Sequence, residues 1–320
     1  MICFHELIEE TYWGGSKNNL IDTFKYGRYY FEIVSDSGDK VIYSRGFSTL
    51  FVEWQDTEEA EKVSKTYQES LIFPFPKEDF TIKIYSRDKK DNWSLLYSQQ
   101  ISLSDSYIRK DNPFDFKTFN VIKSGNASEK LDIVFLAEGY TAGEMKKFKK
   151  DCDNFAGYLL GASPFKENKN LINIHAVAAV SADSGTDLPG EGIWKNTILG
   201  SHFYTFGSER YLMVDDYQRI RDVAAAVPYD QIFIMVNTDK YGGGGIFNFY
   251  STGASDNRAA DFLLIHEFGH AFGGLADEYY TSDVSVEDFY DLETEPWEPN
   301  ITTLVNFETK WKDMLGEETP

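Results

Sequence analysis

A chain of 320 residues with a formal charge of −21 and 42% hydrophobic residues has apolar material for one large domain or two ordinary ones. Its acidity argues against a nucleic-acid binder, which needs a basic face, and against a polybasic membrane anchor. Cys3 and Cys152 are its only cysteines, so it has no disulfide framework, and no apolar run is long enough to form a transmembrane segment. The residues from Met1 to Leu7 lack the basic and apolar regions of a signal peptide. The expectation is a cytoplasmic chain, or one read without its natural start.

Residues 1–112 read as β-rich. Gly27 to Val34 is a strand candidate, and Ser37-Gly38 offers a turn into Lys40–Tyr43. Phe80, Ile82 and Ile84 alternate with polar residues, as do Trp93, Leu95, Tyr97, Ile101 and Leu103, the pattern of half-buried antiparallel strands. Asp56 and Glu59 have capping-box spacing, which predicts a helix through Ala60, Val63 and Tyr67. The expectation is a small antiparallel β-sandwich, with turn residues from Asp111 to Asn126 as its boundary.

From Leu131 the rhythm changes. Leu131–Ala137 is a continuous apolar run, as in a buried strand. Thr141 and Glu144 form a capping box, and Met145, Phe148, Cys152, Phe155 and Leu159 follow on one helical face, with Cys152 read as core. Leu171–Val180 is the next strand, and His175 within it reads as a satisfied core histidine. His202 lies in a loop. Ser181 to Asp187 is a polar loop at a strand end. Its carboxylates suit calcium, but no EF-hand spacing is present, and a hydrogen-bonded loop is the default. A helix begins at Asp215 and a third buried strand is Gln231–Val236. Four glycines, 242–245, precede Ile246–Tyr250. This reads as a flexible rim running into an edge strand, where Gly244, Gly245, Ile246, Phe247 and Asn248 offer backbone groups to an extended peptide.

The chemistry concentrates in His266-Glu267-Phe268-Gly269-His270. On a helix, residues four apart share a face, so His266 and His270 aim at one point and suit a single zinc ion. Glu267 projects beside that point, where a general base for water is needed. Ala259 to Ile265 are mostly apolar, which predicts a buried helix with Ser255, Asp256 or Asn257 at its start. Gly273-Gly274 should end it. The long metzincin pattern would place a third histidine at 276, where this chain has Ala. With Gly274 as the turn, Asp277 takes the place of third ligand, and Glu278 is the alternative ligand. Tyr279 and Tyr280 are candidate oxyanion stabilisers.

LDIVFLAEGYT (131–141), SADSGTDLP (181–189) and HEFGHAFGGLADEY (266–279) together resemble the immunoglobulin A peptidase family of zinc metallopeptidases. GRYYFEIV (27–34), SRGFSTLFVEWQ (44–55) and IFPFP (72–76) resemble the β-rich domain that often precedes it. The resemblance implies an α+β chain: a β-sandwich accessory domain at 1–112 and a zincin-like domain at 113–320, with a mixed sheet and a buried HExxH helix. It implies one zinc per chain, endopeptidase activity on a polypeptide such as a host or dietary glycoprotein, and a secreted or cell-envelope setting. Members continue well past the metal helix, which implies a catalytic domain trimmed at its C-terminus here. Two other readings compete: an inactive binding or adhesion protein using its β-rich front, and a zinc hydrolase of non-peptide amides.

Overall fold

The computed structural model describes residues 1–104, 108–110, 112–278 and 290–316. The strands of the N-terminal region are β1 (Leu7–Ile8), β2 (Tyr29–Ser35), β3 (Lys40–Phe47), β4 (Phe80–Arg87), β5 (Trp93–Ile101) and β6 (Ile108–Arg109). Those that follow are β7 (Lys117–Ile122), β8 (Leu131–Glu138), β9 (Ile172–Ala178), β10 (Gln231–Val236), β11 (Gly243–Ile246) and β12 (Tyr250–Ala254). Four α-helices matter for the site: α1 (Leu50–Gln55), α2 (Met145–Leu159), α3 (Tyr217–Ala224) and α4 (Ala260–Gly273).

The N-terminal strands pair antiparallel in the order β3-β2-β4-β5, while β1 and β6 form a short parallel pair. Phe31, Ile33, Phe80 and Ile82 build the core of this sheet. Where a sandwich is expected, the described residues give one four-stranded sheet. Leu20, Leu71 and Phe73, all outside strands, pack against its core. The expected helix at 56–67 is also displaced. Thr49 caps α1 by accepting the Val52 N–H, and Asp56 stands at that helix's end. Glu59 spends its carboxylate on the Trp54 indole N–H, 2.9 Å away, and on Lys65 rather than on a helix start. Tyr67 then reaches back by ring contact to Phe51 and Trp54.

The second sheet runs β11-β12-β10-β8-β9-β7. Its inner four strands are parallel and both edge strands antiparallel, so the sheet is mixed as expected. Both faces are covered, which is why β8 reads as an unbroken apolar run. Ile133, Phe135 and Ala137 pack against Phe148, Cys152 and Phe155 of α2 and against Leu264 and Phe268 of α4. Val134 and Leu136 face the other way, onto Tyr217, Ile220 and Val223 of α3. Cys152 is fully buried, as its place on the apolar stripe predicts. The capping box of Thr141 and Glu144 is formed.

The glycine run is neither loose nor a rim. Gly243–Ile246 is itself the edge strand, and a side chain there would strike α4. A Cβ at Gly245 would lie 2.4 Å from the Glu267 carbonyl oxygen, and one at Gly243 would lie 2.8 Å from the Glu267 side chain. Glycine is needed here for close approach rather than for flexibility. The strand ends at Ile246. Phe247 and Asn248 lie in the turn to β12, with Asn248 at φ 59.

Gly245→Ala should therefore lower stability by about 1–3 kcal/mol, the usual cost of overpacking. The midpoint of urea unfolding measures it; an unchanged midpoint would show that α4 does not need this glycine.

Candidate active site

Helix α4 presents the two histidines from a half-buried scaffold. Leu263, Leu264, Glu267, Phe268 and Ala271 are buried, but Phe262 is 61% exposed and Phe272 38%. The helix is thus open on one side rather than buried all round, and that open side carries the site. The Asn257 side chain accepts the Ala259 N–H just ahead of the helix. At the other end Gly274, not Gly273, adopts the left-handed conformation at φ 63, and the chain turns back beneath the helix.

Three ligand atoms then converge. His266 Nε2 and His270 Nε2 are 3.2 Å apart, and Asp277 Oδ1 is 3.2 Å from each. A tetrahedral ion with bonds of about 2.0–2.1 Å holds its ligand atoms roughly 3.3 Å apart. Two imidazoles and a carboxylate at this spacing fit a zinc ion. The tautomer fits as well. His270 Nδ1 donates to the Leu275 carbonyl oxygen at 2.5 Å, which leaves Nε2 its lone pair for a metal. The ring of Phe262, one turn earlier, stacks on His266 with centroids 5.7 Å apart.

Glu267 lies beside this triangle. It forms with His266 and His270 a group whose ligand atoms lie within 4.8 Å of one another. It is buried, and burial pushes its carboxyl up to about 7 despite the two imidazoles. Burial also disfavours charge on Asp277, but the hydrogen bonds and charges of His266 and His270 outweigh it. They hold that carboxyl well below the usual range.

The strap carrying Asp277 is fixed by a residue that sequence reading missed. Asn300 accepts the Ala276 N–H at 2.9 Å and donates to the Ala276 carbonyl at 2.8 Å. Asn300 also donates to Glu278 Oε1 at 2.7 Å, so Glu278 is turned away from the imidazoles while Asp277 meets them. No local motif marks Asn300, because its role depends on folding back over 24 residues. Tyr279 and Tyr280 lie outside the described residues. One phenol not singled out from sequence lies beside the glycine strand: Tyr211 pairs with Gly243, and burial and the Glu53 carboxylate hold its hydroxyl well above the usual phenol range.

The other candidates lie elsewhere. His175 is buried between Asp132 and Asn120, at 2.7 and 2.8 Å. His202 binds Asp215 and the Phe203 carbonyl. In the polar loop, Asp183 accepts the Asn196 N–H and Asp187 the Lys195 N–H. Those carboxylates hold backbone, as a hydrogen-bonded loop requires.

The edge strand offers one open rung. Gly243 turns its N–H and C=O away from β12, towards Arg210 O and Leu212 N. Antiparallel pairing alternates, so Gly245 also points its backbone groups outward, and it is the one residue of β11 that is not buried. Gly244 and Ile246 face β12, and Phe247 and Asn248 are held in the turn. Among the described residues, Gly245 is the one of the five expected to meet a peptide whose backbone N–H and C=O both face away from β12 without a backbone partner.

Two family models match the chain. Residues 119–320 match the family model described as IgA peptidase M64, and residues 1–98 match that of the peptidase M64 N-terminus. No curated relative matches the chain. With an HExxH helix, a following carboxylate and both family models in register with the two regions of the fold, the chain belongs to the IgA peptidase M64 family, a family of peptidases.

Proposed function

We propose that this chain is a zinc-dependent endopeptidase, with His266, His270 and Asp277 as the ligands of one zinc ion and Glu267 as the general base. The observation that carries this reading is the triangle of donor atoms at 3.2 Å, with the Glu267 carboxylate beside it. When bound, a zinc ion supplies Lewis acidity that polarises a carbonyl and lowers the pKa of a water towards about 7. The protein residues do the rest. Gly245 receives the substrate backbone through its outward N–H and C=O, an added-strand mode of recognition. Glu267 takes a proton from the attacking water as its oxygen adds to the scissile carbonyl carbon. The same carboxyl then passes that proton to the nitrogen as the C–N bond breaks, and the hydroxyl proton left on the new acid group follows it, leaving a carboxylate and an ammonium.

The substrate class we favour is an extended stretch of an extracellular polypeptide, such as a host or dietary glycoprotein, including immunoglobulin A-like chains in keeping with the family description. No helix among the described residues is long and apolar enough to cross a membrane. Division of the chain into an accessory region at 1–112 and a catalytic region at 113–320 belongs to the same proposal. An inactive binding protein would have no need of a carboxylate beside its two imidazoles, and no observation favours it.

Glu267→Ala should keep zinc and lose hydrolysis of an unstructured protein by about 10²–10⁴-fold; comparable turnover in the variant would refute the base assignment. Asp277→Ala should weaken zinc by more than the roughly 10–100-fold typical of an outer-shell change. Glu278→Ala, which among the described residues loses the Asn300 contact, should stay within that range. Chelator competition separates the two, and the reverse order would move the third ligand to Glu278.

A further inference from the structure

The turn between β11 and β12 joins three parts of the chain. The Asn248 N–H donates to the Ala271 carbonyl at 2.8 Å, in the last turn of α4 and one residue past His270. The Asn248 side chain faces the N-terminal region: Oδ1 accepts from Arg45 Nη2 at 2.9 Å, and Nδ2 donates to the Gly46 carbonyl at 2.6 Å. Ser48 N–H adds a bond to the Phe247 carbonyl at 3.2 Å. The Phe247 ring packs against Trp297 and Tyr26, with centroids 5.5 and 6.5 Å away. Both rings border Gly274, where a Cβ would lie 2.9 Å from Trp297 and 3.1 Å from Phe247. The turn therefore touches the metal helix at its C-terminal end, where Gly274 sends the chain back towards Asp277.

The same N-terminal stretch reaches the cleft a second time. Glu53 of α1 accepts the Tyr211 hydroxyl, and Tyr211 bridges to Gly243 at the far end of β11. Glu53 is in electrostatic reach of His270, Glu267 and Asp277. Residues 45–53 thus hold the glycine strand near both its ends and leave Gly245 open between them. A loosely tethered accessory domain would not hold, through two side-chain bonds, the turn that itself bonds the last turn of the helix bearing His270.

We propose that the N-terminal region is a working part of the catalytic unit, and that Asn248 is a positioning residue through which Arg45 and Gly46 fix the C-terminal turn of α4 and hence the His270–Asp277 geometry. The inference rests on the zinc peptidase reading for its consequence, but the coupling itself is testable without it. Asn248 sits at φ 59, so glycine at 248 keeps the left-handed backbone and the N–H while losing both side-chain bonds. Met at 45 keeps the aliphatic volume of arginine without its donors.

The experiment is hydrogen exchange on the full chain, with chelator competition for zinc alongside, for wild type, Asn248→Gly, Arg45→Met and the double variant. Exchange at amides 270–275 should rise about tenfold in each single variant. Zinc affinity should fall about 10–100-fold, the scale of outer-shell changes. The double variant should be no worse than Asn248→Gly alone, because the bond lost in Arg45→Met is one of the two lost in Asn248→Gly. Unchanged exchange at 270–275 in both singles would overturn the proposal, as would additive effects in the double. If wild type bound no zinc while exchange still responded, the positioning role would stand and the metal reading would fall.

Discussion

The close approach of α4 to the glycine strand β11 is the contact on which the site depends. A Cβ at Gly245 would meet the Glu267 carbonyl, and one at Gly243 would meet the Glu267 side chain. Both positions must be bare for the helix to lie where it does. That proximity sets the Glu267 carboxylate beside the two imidazoles and buries it. It also brings the outward-facing rung of β11, at Gly245, alongside the helix that bears the histidines. Closer packing than an ordinary strand allows thus fixes the geometry of Glu267.

Around that contact the fold supplies restraints at each end of the helix. At its start, the Asn257 side chain holds the Ala259 N–H. At its end, Gly274 reverses the chain, the Leu275 carbonyl orients His270, and Asn300 brackets Ala276 so that Asp277 faces the imidazoles. The mixed sheet beneath is apolar on both faces and gives the helix a rigid bed. Polar loops elsewhere are held by buried carboxylates. Glu138, fully buried at the end of β8, accepts from Thr197 Oγ1 and from the Leu199 and Ser201 N–H groups.

Much of this was legible in the residues. The four-residue spacing of His266 and His270, the following glutamate, the turn at Gly274 and the carboxylate at 277 are local signals. Helical geometry and the turn bring the two imidazoles and the Asp277 carboxylate together. The strands at β8, β9 and β10 were equally plain, because burial on both faces leaves an unbroken apolar run. What failed was whatever depended on distant partners. Asp56 and Glu59 have the spacing of a capping box, yet Glu59 is drawn to the Trp54 indole. The glycines looked loose because their neighbour, α4, is not adjacent in sequence. Phe247 and Asn248 looked like strand because nothing local shows that Arg45, Gly46 and Ala271 claim them. Asn300 was silent for the same reason.

The proposed chemistry is hydrolysis of peptide bonds with one zinc ion held by His266, His270 and Asp277. The most direct test is the metal content of the purified full chain, measured alongside cleavage of an unstructured protein before chelation, after it, and after zinc is returned. One zinc per chain, loss of cleavage on chelation and its recovery with zinc are expected. Cleavage that persisted in the stripped chain, or a purified chain that took up no zinc, would contradict that chemistry.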